Sequence, residues 1–317
     1  MNRKTGTGKY ENLLKRCHKL APIPTAVAYP CEETALAGAV EAGGAGLIIP
    51  ILVGPAATIR ALARKKRIEL GTIEVVDAAD SRESAAMAVQ LVREGRAELL
   101  MKGSLHTDEL LGAVVAREKG LRTGRRLSHV FIMDIPTYHK VLMVTDAAIN
   151  IAPTLEDKLD ICQNALDLAI VLGVEKPKVA ILAAVETVNS KMPATLDAAA
   201  LCKMAERGQI TGGMLDGPMA FDNAISKEAA KIKGIRSEVA GDPDILLAPD
   251  LEAGNILAKQ LTFLANADSA GLVLGARVPV ILTSRADSVR ARLASCAVAM
   301  LAAHARRRHG KQSPRKP

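Results

Sequence analysis

The sequence is poor in aromatic residues: its 317 residues include three Tyr, three Phe and no Trp. Proteins that bind single-stranded nucleic acid without sequence preference stack the bases on aromatic side chains, so this composition disfavours that class. The cores must instead be filled by Ala, Val, Leu, Ile and Met. An apolar content of 49% in a chain of this length is enough for two cores. We therefore expect a two-domain protein.

Long apolar runs and metal-binding spacings are also missing. No run of about 18 apolar residues is present, and the polar start of the chain leads into no apolar signal segment. The five cysteines contain no CxxC pair, and the six histidines show no HExxH spacing. We expect a soluble, cytoplasmic protein with reduced cysteines, no membrane partner and no metal site.

Three common catalytic motifs are absent. The chain has no GxSxG elbow, no Walker loop and no GxGxxG fingerprint. These absences disfavour a serine hydrolase, a P-loop kinase and a dinucleotide enzyme of the Rossmann type.

The net charge of +8 comes mostly from the end of the chain. Residues 305–317 form a basic tail without a carboxylate, and the remainder is close to balanced. The pattern favours a terminus that is exposed to solvent. The alternative is an arm that binds polyanions. A nucleic-acid partner is disfavoured.

Short β-branched runs alternate with longer periodic segments from residue 47 onward, which indicates mostly parallel sheets with crossover helices. The predicted strands are 47–53, 72–76, 98–101, 130–135, 141–144, 179–183, 213–215, 245–247, 272–275 and 280–282. The predicted helices are 56–68, 81–94, 107–116, one that starts at Pro153 or Thr154, 194–208, 223–233, 253–264 and a last amphipathic helix. In that last helix one apolar stripe begins at Val289, and Arg292 lies outside the stripe. The fold class is therefore α/β.

Two loops in the first half of the chain carry candidate binding residues, because open parallel sheets bind ligands where their strands end. Lys102 and Gly103 suit the close approach of an anion to the backbone, although Thr107 could instead cap the next helix. Asp146 lies among small residues that would let a ligand approach. A turn-forming role is an equally good interpretation of Asp146.

Two loops in the second half follow the same logic. Asp216, Gly217 and Pro218 form a polar turn after a strand. Asn255 belongs to a segment with acids in the first turn of a helix, where they complement the helix dipole without any ligand.

The segment 283–288 combines hydroxyls, a cation and a carboxylate at the junction of a strand and a helix. Free N–H groups at a helix start favour an anion, and the planar guanidinium of Arg285 matches phosphate. Ser284, Arg285 and Asp287 are therefore the first candidates for catalysis. In the structural alternative, Asp287 or Ser288 caps the last helix and Arg285 is solvated.

Taken in order, four segments resemble the phosphate acetyltransferase and phosphate butyryltransferase family, and the resemblance covers roughly residues 20 to 305. They are 100–103, 216–218, 249–255 and 279–288. The resemblance implies a two-domain fold related to the isocitrate and isopropylmalate dehydrogenases, with the chain crossing twice between domains. The first domain would comprise residues 1–146 and 272–317, the second residues 147–271, and the active site would lie in the cleft between them.

The resemblance also implies an activity: reversible transfer of a short acyl group between coenzyme A and inorganic phosphate, in a homodimer, with coenzyme A as a substrate and without metal or bound cofactor. Ser284 and Arg285 match the family's Ser-Arg pair, in which Arg285 would hold phosphate and Ser284 would bond the carbonyl. The catalytic carboxylate of the acetyl branch lies about seven residues after the serine, where this chain has Ala291. Asp287 is the substitute base, and the sequence of its segment resembles the butyryl branch.

Two further hypotheses stay open on the sequence. One is a metal- and NAD-dependent hydroxy-acid dehydrogenase on the same fold. The other is a protein that binds coenzyme A or an acyl phosphate without turnover. The length of the acyl chain depends on pocket walls that the sequence does not locate.

Overall fold

A computed structural model of the chain describes residues 8–283 and 287–312, with the side chains of residues 309–312 left out. The chain divides into two compact units. The terminal unit comprises Tyr10–Arg125 and the chain from Ala270 onward, and the central unit comprises Arg126–Ser269 with Lys9. No helix among the described residues is both long and apolar enough to span a bilayer.

The terminal unit alternates helices and strands from its first residues. Its helices are α1 (Lys9–Cys17), α2 (Glu33–Gly44), α3 (Ala56–Lys66), α4 (Ser81–Arg93), α5 (Thr107–Val115) and α11 (Val289–Gln312). Its strands are β1 (Ile23–Ala28), β2 (Ile48–Gly54), β3 (Glu74–Asp77), β4 (Leu99–Lys102), β10 (Asp268–Leu274) and β11 (Val280–Ile281). The strand order is β3-β2-β1-β4-β11-β10, with all neighbours parallel except β10 and β11.

The central unit has the same alternation. Its strands are β5 (Ser128–Asp134), β6 (Leu142–Thr145), β7 (Lys178–Leu182), β8 (Met214–Met219) and β9 (Ile245–Leu247). Its helices are α6 (Leu155–Val171), α7 (Pro193–Glu206), α8 (Phe221–Ile225), α9 (Lys227–Ile232) and α10 (Leu251–Leu264). The order is β5-β6-β9-β7-β8, and only β5 with β6 is antiparallel.

Side-chain oxygens begin several helices by accepting the free N–H groups of the first turn. Asp80 accepts from Arg82 and Glu83, both at 2.9 Å, at the start of α4. Thr154 forms a capping box with Asp157 at the start of α6, as the Pro153–Thr154 signal predicts. These local signals explain why the predicted helix starts match the structure closely.

The α/β class is confirmed: the fold is mixed α/β with helices flanking the sheets. In the central unit, two predicted elements are wrong in detail. The predicted helix 223–233 is two helices, because Ser226 adopts extended backbone and its hydroxyl starts α9 by accepting the N–H of Ala229. The predicted strand 213–215 continues as β8 to Met219, because its partner β7 pairs with it past Pro218, from Lys178↔Met214 to Leu182↔Met219.

The last helix also differs from the prediction of one apolar stripe. In α11, Val289 at the start of the expected stripe is half exposed, whereas almost all residues from Ala291 to Ala303 are buried. Small alanine side chains let neighbouring elements approach the helix from several sides, so burial does not follow a single face.

The two units differ from the expected domains at their first boundary. Residues 126–146 belong to the central unit, because β6 within them pairs with β9 of that unit. The assignment of these residues to the first domain came from the resemblance, and the domain organisation stays a prediction.

Candidate active site

In the terminal unit, the strand order brings two predicted site segments to one edge. β4 and β11 are parallel neighbours, with Leu100 paired to Val280 and Met101 paired to Ile281. Because parallel strands end at the same edge, Lys102 at the end of β4 and Thr283 just after β11 lie beside each other. The Lys102 loop and the start of segment 283–288 therefore meet.

A small cavity of about 10 Å³ lies between these two segments. Lys102 and Arg292 line it together with Thr283, and all three side chains are buried. Glu32 also lines the cavity. The volume is that of about one water molecule, so the cavity is a polar seam and not a substrate pocket by itself. Two buried cations and the carboxylate of Glu32 thus lie at the edge where Thr283 ends the described part of this segment.

Gly103 is required by its surroundings. A Cβ atom at this position would lie 2.4 Å from the backbone oxygen of Ala28 and 2.5 Å from that of Tyr29. The backbone N–H of Gly103 donates to the Ala28 oxygen at 2.9 Å, and Ser104 donates to the Tyr29 oxygen from both its backbone N–H and its hydroxyl, each at 2.8 Å. The loop is thus fixed tightly against the end of β1, which positions Lys102.

Arg292 is a polar group of this edge that sequence reasoning missed. Its position on the supposed polar face of the last helix predicted solvation, but only 4% of the residue is exposed. Its guanidinium donates to the backbone oxygen of Thr34, and Gly38 makes room for it, because a Cβ there would lie 2.9 Å from Arg292 Cδ. The burial of Arg292 depends on two residues far apart in sequence, Gly38 on α2 and Arg292 on α11, so no local pattern predicts it.

Ser284 and Arg285 lie outside the described residues. On the far side of them, Ser288 caps α11: its hydroxyl accepts the N–H of Ala291 at 3.2 Å, and its backbone oxygen accepts that of Arg292 at 3.1 Å. Of the two caps considered from the sequence, Ser288 is the correct one. Asp287 is half buried and precedes the cap, so capping does not account for it.

Thr107 is the first residue of α5 and not its cap. The N-cap position is His106, whose backbone N–H donates to the Glu109 carboxylate at 3.1 Å. Thr107 is half buried at this helix start, five residues after Lys102. The capping role considered for it is wrong, and its binding role stays a prediction.

In the central unit, the carboxylate of Asp146 is saturated by its own turn. One oxygen accepts the backbone N–H groups of Ala148 and Ile149, at 2.9 and 3.2 Å. The other accepts the backbone N–H and the side-chain amide of Asn150. Asp146 is only 3% exposed. This geometry matches the turn-forming interpretation, and a contact to substrate stays a prediction.

Helix α10 packs its first turns on the Asp146 turn. Asp250 caps the helix by accepting the N–H of Ala253 at 2.8 Å. A Cβ at Gly254 would lie 2.4 Å from the backbone oxygen of Asp146, and the amide of Asn255 donates to the backbone oxygen of Ala147 at 2.9 Å. The structure therefore brings Asn255 and the Asp146 turn together at the carboxyl ends of β6 and β9.

Asp216, Gly217 and Pro218 lie inside β8 rather than in a loop, which corrects the expected turn. Asp216 accepts the N–H of Gly217 at 2.8 Å. A Cβ at Gly217 would lie 2.8 Å from Ile181, so this glycine lets β8 approach its neighbour β7. The Gly217–Pro218 peptide bond is cis. The carboxyl end of β8 lies at the same edge as those of β6 and β9.

His129 lies in β5 of the central unit, and no motif of the sequence singles it out. It is 1% exposed, its Nδ1 atom has no hydrogen-bond partner among the described residues, and its ring contacts that of Phe131 edge-on, with centroids 4.4 Å apart. Burial lowers the pKa of His129 to about 4, against the opposing effect of the Asp146 charge. The side chain is therefore neutral at physiological pH.

The chain belongs to a known enzyme family. The sequence profile of the Phosphate acetyl/butaryl transferase family matches residues 81–300, a range that includes both strands at the edge of the terminal unit. The chain is 64% identical to a phosphate acetyltransferase of Rhizobium meliloti, over 94% of this chain and 95% of the relative. It is 42% identical to a phosphate butyryltransferase of Clostridium beijerinckii, over 93% and 97% of the two chains.

Solved structures show the same fold. A branched-chain phosphotransacylase from Enterococcus faecalis V583 superposes with a TM-score of 0.77 at 31% identity, covering 89% of this chain and 99% of that one. A 4-hydroxythreonine-4-phosphate dehydrogenase from Klebsiella pneumoniae reaches a TM-score of 0.55 at 14% identity, covering 89% of this chain and 100% of that one. The second likeness concerns the fold alone.

Proposed function

We infer that this chain catalyses the reversible transfer of a short acyl group between coenzyme A and inorganic phosphate. The observation that carries this inference is the family match over residues 81–300, in a structure whose Lys102 loop lies beside Thr283. The two sequence relatives are a phosphate acetyltransferase and a phosphate butyryltransferase, and neither favours the dehydrogenase hypothesis. The substrates are an acyl-CoA and phosphate, with coenzyme A as substrate and not as a bound cofactor.

The charges at the edge of the terminal unit suit a phosphate substrate. Lys102 and Arg292 are buried beside Thr283, and Ser284 and Arg285 follow Thr283 directly. A cation acts more strongly where water is excluded, because the local dielectric constant is lower. We assign Arg285 to the phosphoryl oxygens and Ser284 to the carbonyl oxygen, where negative charge develops.

In the direction of acyl-CoA synthesis, the thiolate of coenzyme A attacks the carbonyl carbon of the acyl phosphate. The new C–S bond forms, and the bond between the carbonyl carbon and the bridging oxygen breaks. Phosphate then leaves toward Arg285. The reference pKa of a thiol is about 8.5, so a base that takes the proton accelerates the step. No acyl-enzyme is needed, and a covalently acylated Ser284 found by mass spectrometry would contradict this direct mechanism.

Asp287 is the proposed base. Ser288 and not Asp287 caps α11, and Ala291, at the position of the acetyl branch's carboxylate, is a buried apolar residue. Asp287 lies two residues after Arg285 and is the carboxylate nearest in sequence to the Ser-Arg pair. The proposed substrate-binding positions remain Lys102, Gly103, Thr107, Asp146, Asp216, Gly217, Pro218 and Asn255.

The finer fold relationship is also a proposal. Kinship with the isocitrate and isopropylmalate dehydrogenase fold rests on the resemblance of the sequence segments, and the likeness at a TM-score of 0.55 is to the fold of a different dehydrogenase. The cytoplasmic location, the homodimer and the absence of a metal likewise stay predictions. For acyl-chain length, the higher identity to a protein named phosphate acetyltransferase favours acetyl over butyryl, although the 283–288 segment resembles the butyryl branch.

The test measures phosphate-dependent release of coenzyme A from acetyl-, propionyl- and butyryl-CoA. Arg285→Ala should lower kcat/KM by about 100-fold or more, since it removes a charge from the transition state. Asp287→Asn should lower kcat by about 100-fold and remove the acidic limb of the pH profile. The control Arg277→Ala, at an exposed arginine beyond the end of β10, should stay within about twofold of wild type.

Each hypothesis gives a different outcome. No phosphate-dependent release from any of the three thioesters would overturn the proposed function. Tight binding of coenzyme A without turnover would favour a binding protein. Activity that requires a divalent metal and NAD would favour the dehydrogenase hypothesis.

A further inference from the structure

The central unit contains a cavity at the edge opposite to its candidate site residues. The cavity has a volume of about 580 Å³ and is lined by residues of α9, of the segment 234–242 and of the start of β7. Pockets of about 300–1,000 Å³ hold small-molecule ligands. None of the roles assigned above uses this cavity.

Positive charge dominates the lining. Four cations line the cavity, Lys178, Lys227, Lys231 and Arg236, against two carboxylates, Asp242 and Glu238. Lys227 and Lys231 lie four residues apart and so share a face of α9. Within the described part of the chain, Lys227, Lys231 and Arg236 form no ion pair, whereas Lys178 contacts Asp242 at 2.9 Å. Three cations are thus available to an anion.

The Asp242 carboxylate does not offset these three charges, because other cations already neutralise it. Its partners are Lys178 at 2.9 Å, Lys140 at 3.1 Å and the His139 ring at 2.9 Å. Burial alone would raise the pKa of Asp242, but hydrogen bonds from Lys178 and Lys140 outweigh burial and hold it below its usual range. Lys140 reaches Asp244 as well, at 2.8 Å. Glu238, exposed at the mouth, is the other carboxylate of the lining.

Close packing fixes the wall of the cavity. Gly241 has a φ of +77°, and a Cβ there would lie 2.5 Å from the backbone nitrogen of Lys227. Its N–H lies within 3.0 Å of the backbone oxygens of Asn223 and Ala224. The end of the segment 234–242 is therefore held against α8 and the start of α9, while the side chains of Lys227, Lys231 and Arg236 are exposed to solvent.

The cavity is far from the candidate site residues of the same unit. Lys178 begins β7, and Asp242 and Lys140 precede β9 and β6, so the cavity lies at the amino ends of these parallel strands. Asp146 and Asn255 lie at the carboxyl ends. Five residues of β7 span roughly 16 Å, so the length of the strand separates the cavity from the residues at the carboxyl ends.

We propose that this cavity binds a multiply phosphorylated small molecule of up to nucleotide size, as an effector and not as a substrate. The planar fork of Arg236 matches a phosphate group, and Lys227 and Lys231 supply point charges for a second one. The apolar side chains of Ala230 and Ile235 also line the cavity and would contact the uncharged part of the ligand.

The test titrates the full chain with inorganic tripolyphosphate by calorimetry, at about 0.15 M ionic strength to suppress weak surface binding. Lys231→Gln combined with Arg236→Gln should weaken binding at least about tenfold, because two charge-assisted contacts are lost. The matched control is Arg64→Gln with Lys65→Gln, which removes the same two charges from the exposed end of α3. The control should bind within about twofold of wild type.

A second arm repeats the titration with saturating coenzyme A, which should leave the affinity for tripolyphosphate unchanged. Displacement by coenzyme A would show that the probe shares a site with a substrate and would overturn the proposal of a separate effector site. Absence of binding to wild type, or equal loss in the control, would overturn it as well. Because binding is read directly, the result is independent of whether the acyl-transfer activity is found, and the Lys231–Arg236 variant should keep its kcat.

Discussion

At the scale of single residues, the buried imidazole of His129 gives the protein a pH-dependent stability. The pKa of His129 in the folded chain is about 4, below the value of about 6.5 expected when the chain is unfolded. Between these two values the unfolded chain binds a proton that the folded chain does not. Stability therefore rises with pH through this window and is lost as pH falls from about 6.5 toward 4.

Replacement of His129 by leucine should remove this contribution. We expect the urea midpoint of wild type to fall more between pH 7 and pH 4.5 than that of His129→Leu. His18→Leu, at an exposed position, serves as the control and should keep the slope of wild type. Equal slopes in wild type and His129→Leu would show that another group dominates this pH range.

At the scale of elements, the segment from β4 to α5 contains two glycines with opposite requirements. Gly103→Ala places a Cβ 2.4 Å from a backbone oxygen, which forces the loop away from β1. We expect a loss of about 1–3 kcal/mol in the free energy of unfolding, and a fall in acyl-transfer activity, because Lys102 moves with the loop. Thermal unfolding and the coenzyme A release assay measure the two effects.

Gly112→Ala in α5 is the matched control. Gly112 is exposed in the helix interior, and a Cβ there meets no atom within 4 Å. Alanine should stabilise this helix by about 0.5–1 kcal/mol without affecting activity. If both substitutions shifted stability in the same direction, the close approach at Gly103 would not be the cause.

The same elements show how far the sequence predicts the fold. The alternation of strands and helices after residue 47, and the cap at Thr154, depend on local signals and are correct. The split of a predicted helix at Ser226 and the length of β8 depend on a competing cap and on pairing with β7. A pattern read along one segment contains neither.

The candidate site divides in the same way. Lys102 and Thr283 could be nominated from their positions after strands, but their adjacency depends on the pairing of β4 with β11, which the sequence does not encode locally. Arg292 could not be found, since its burial needs the space left by Gly38 on another helix. Asp146 could be found, but its four hydrogen bonds are set by the turn geometry.

At the scale of the whole molecule, the five cysteines report on the integrity of both units. Cys17, Cys162 and Cys296 are buried, Cys31 and Cys202 are half buried, and all are free thiols. Burial raises the pKa of every one: to about 11 for Cys17 and Cys31, to about 12 for Cys202 and Cys296, and likewise upward for Cys162. The reactive species is the thiolate, so these thiols should be slow to react.

We expect native protein at pH 8 to react with an aromatic disulfide reagent at least about tenfold more slowly than an ordinary thiol. The raised pKa lowers the thiolate fraction, and the greater nucleophilicity of a thiolate with a higher pKa offsets this only in part. In denaturing urea all five thiols should react at once. The variant Lys65→Cys, at an exposed position of α3, provides the fast reference. Native thiols that react as fast as the introduced one would mean that the units open readily. Slow native thiols would also let the same reagent follow coenzyme A release without interference from the protein.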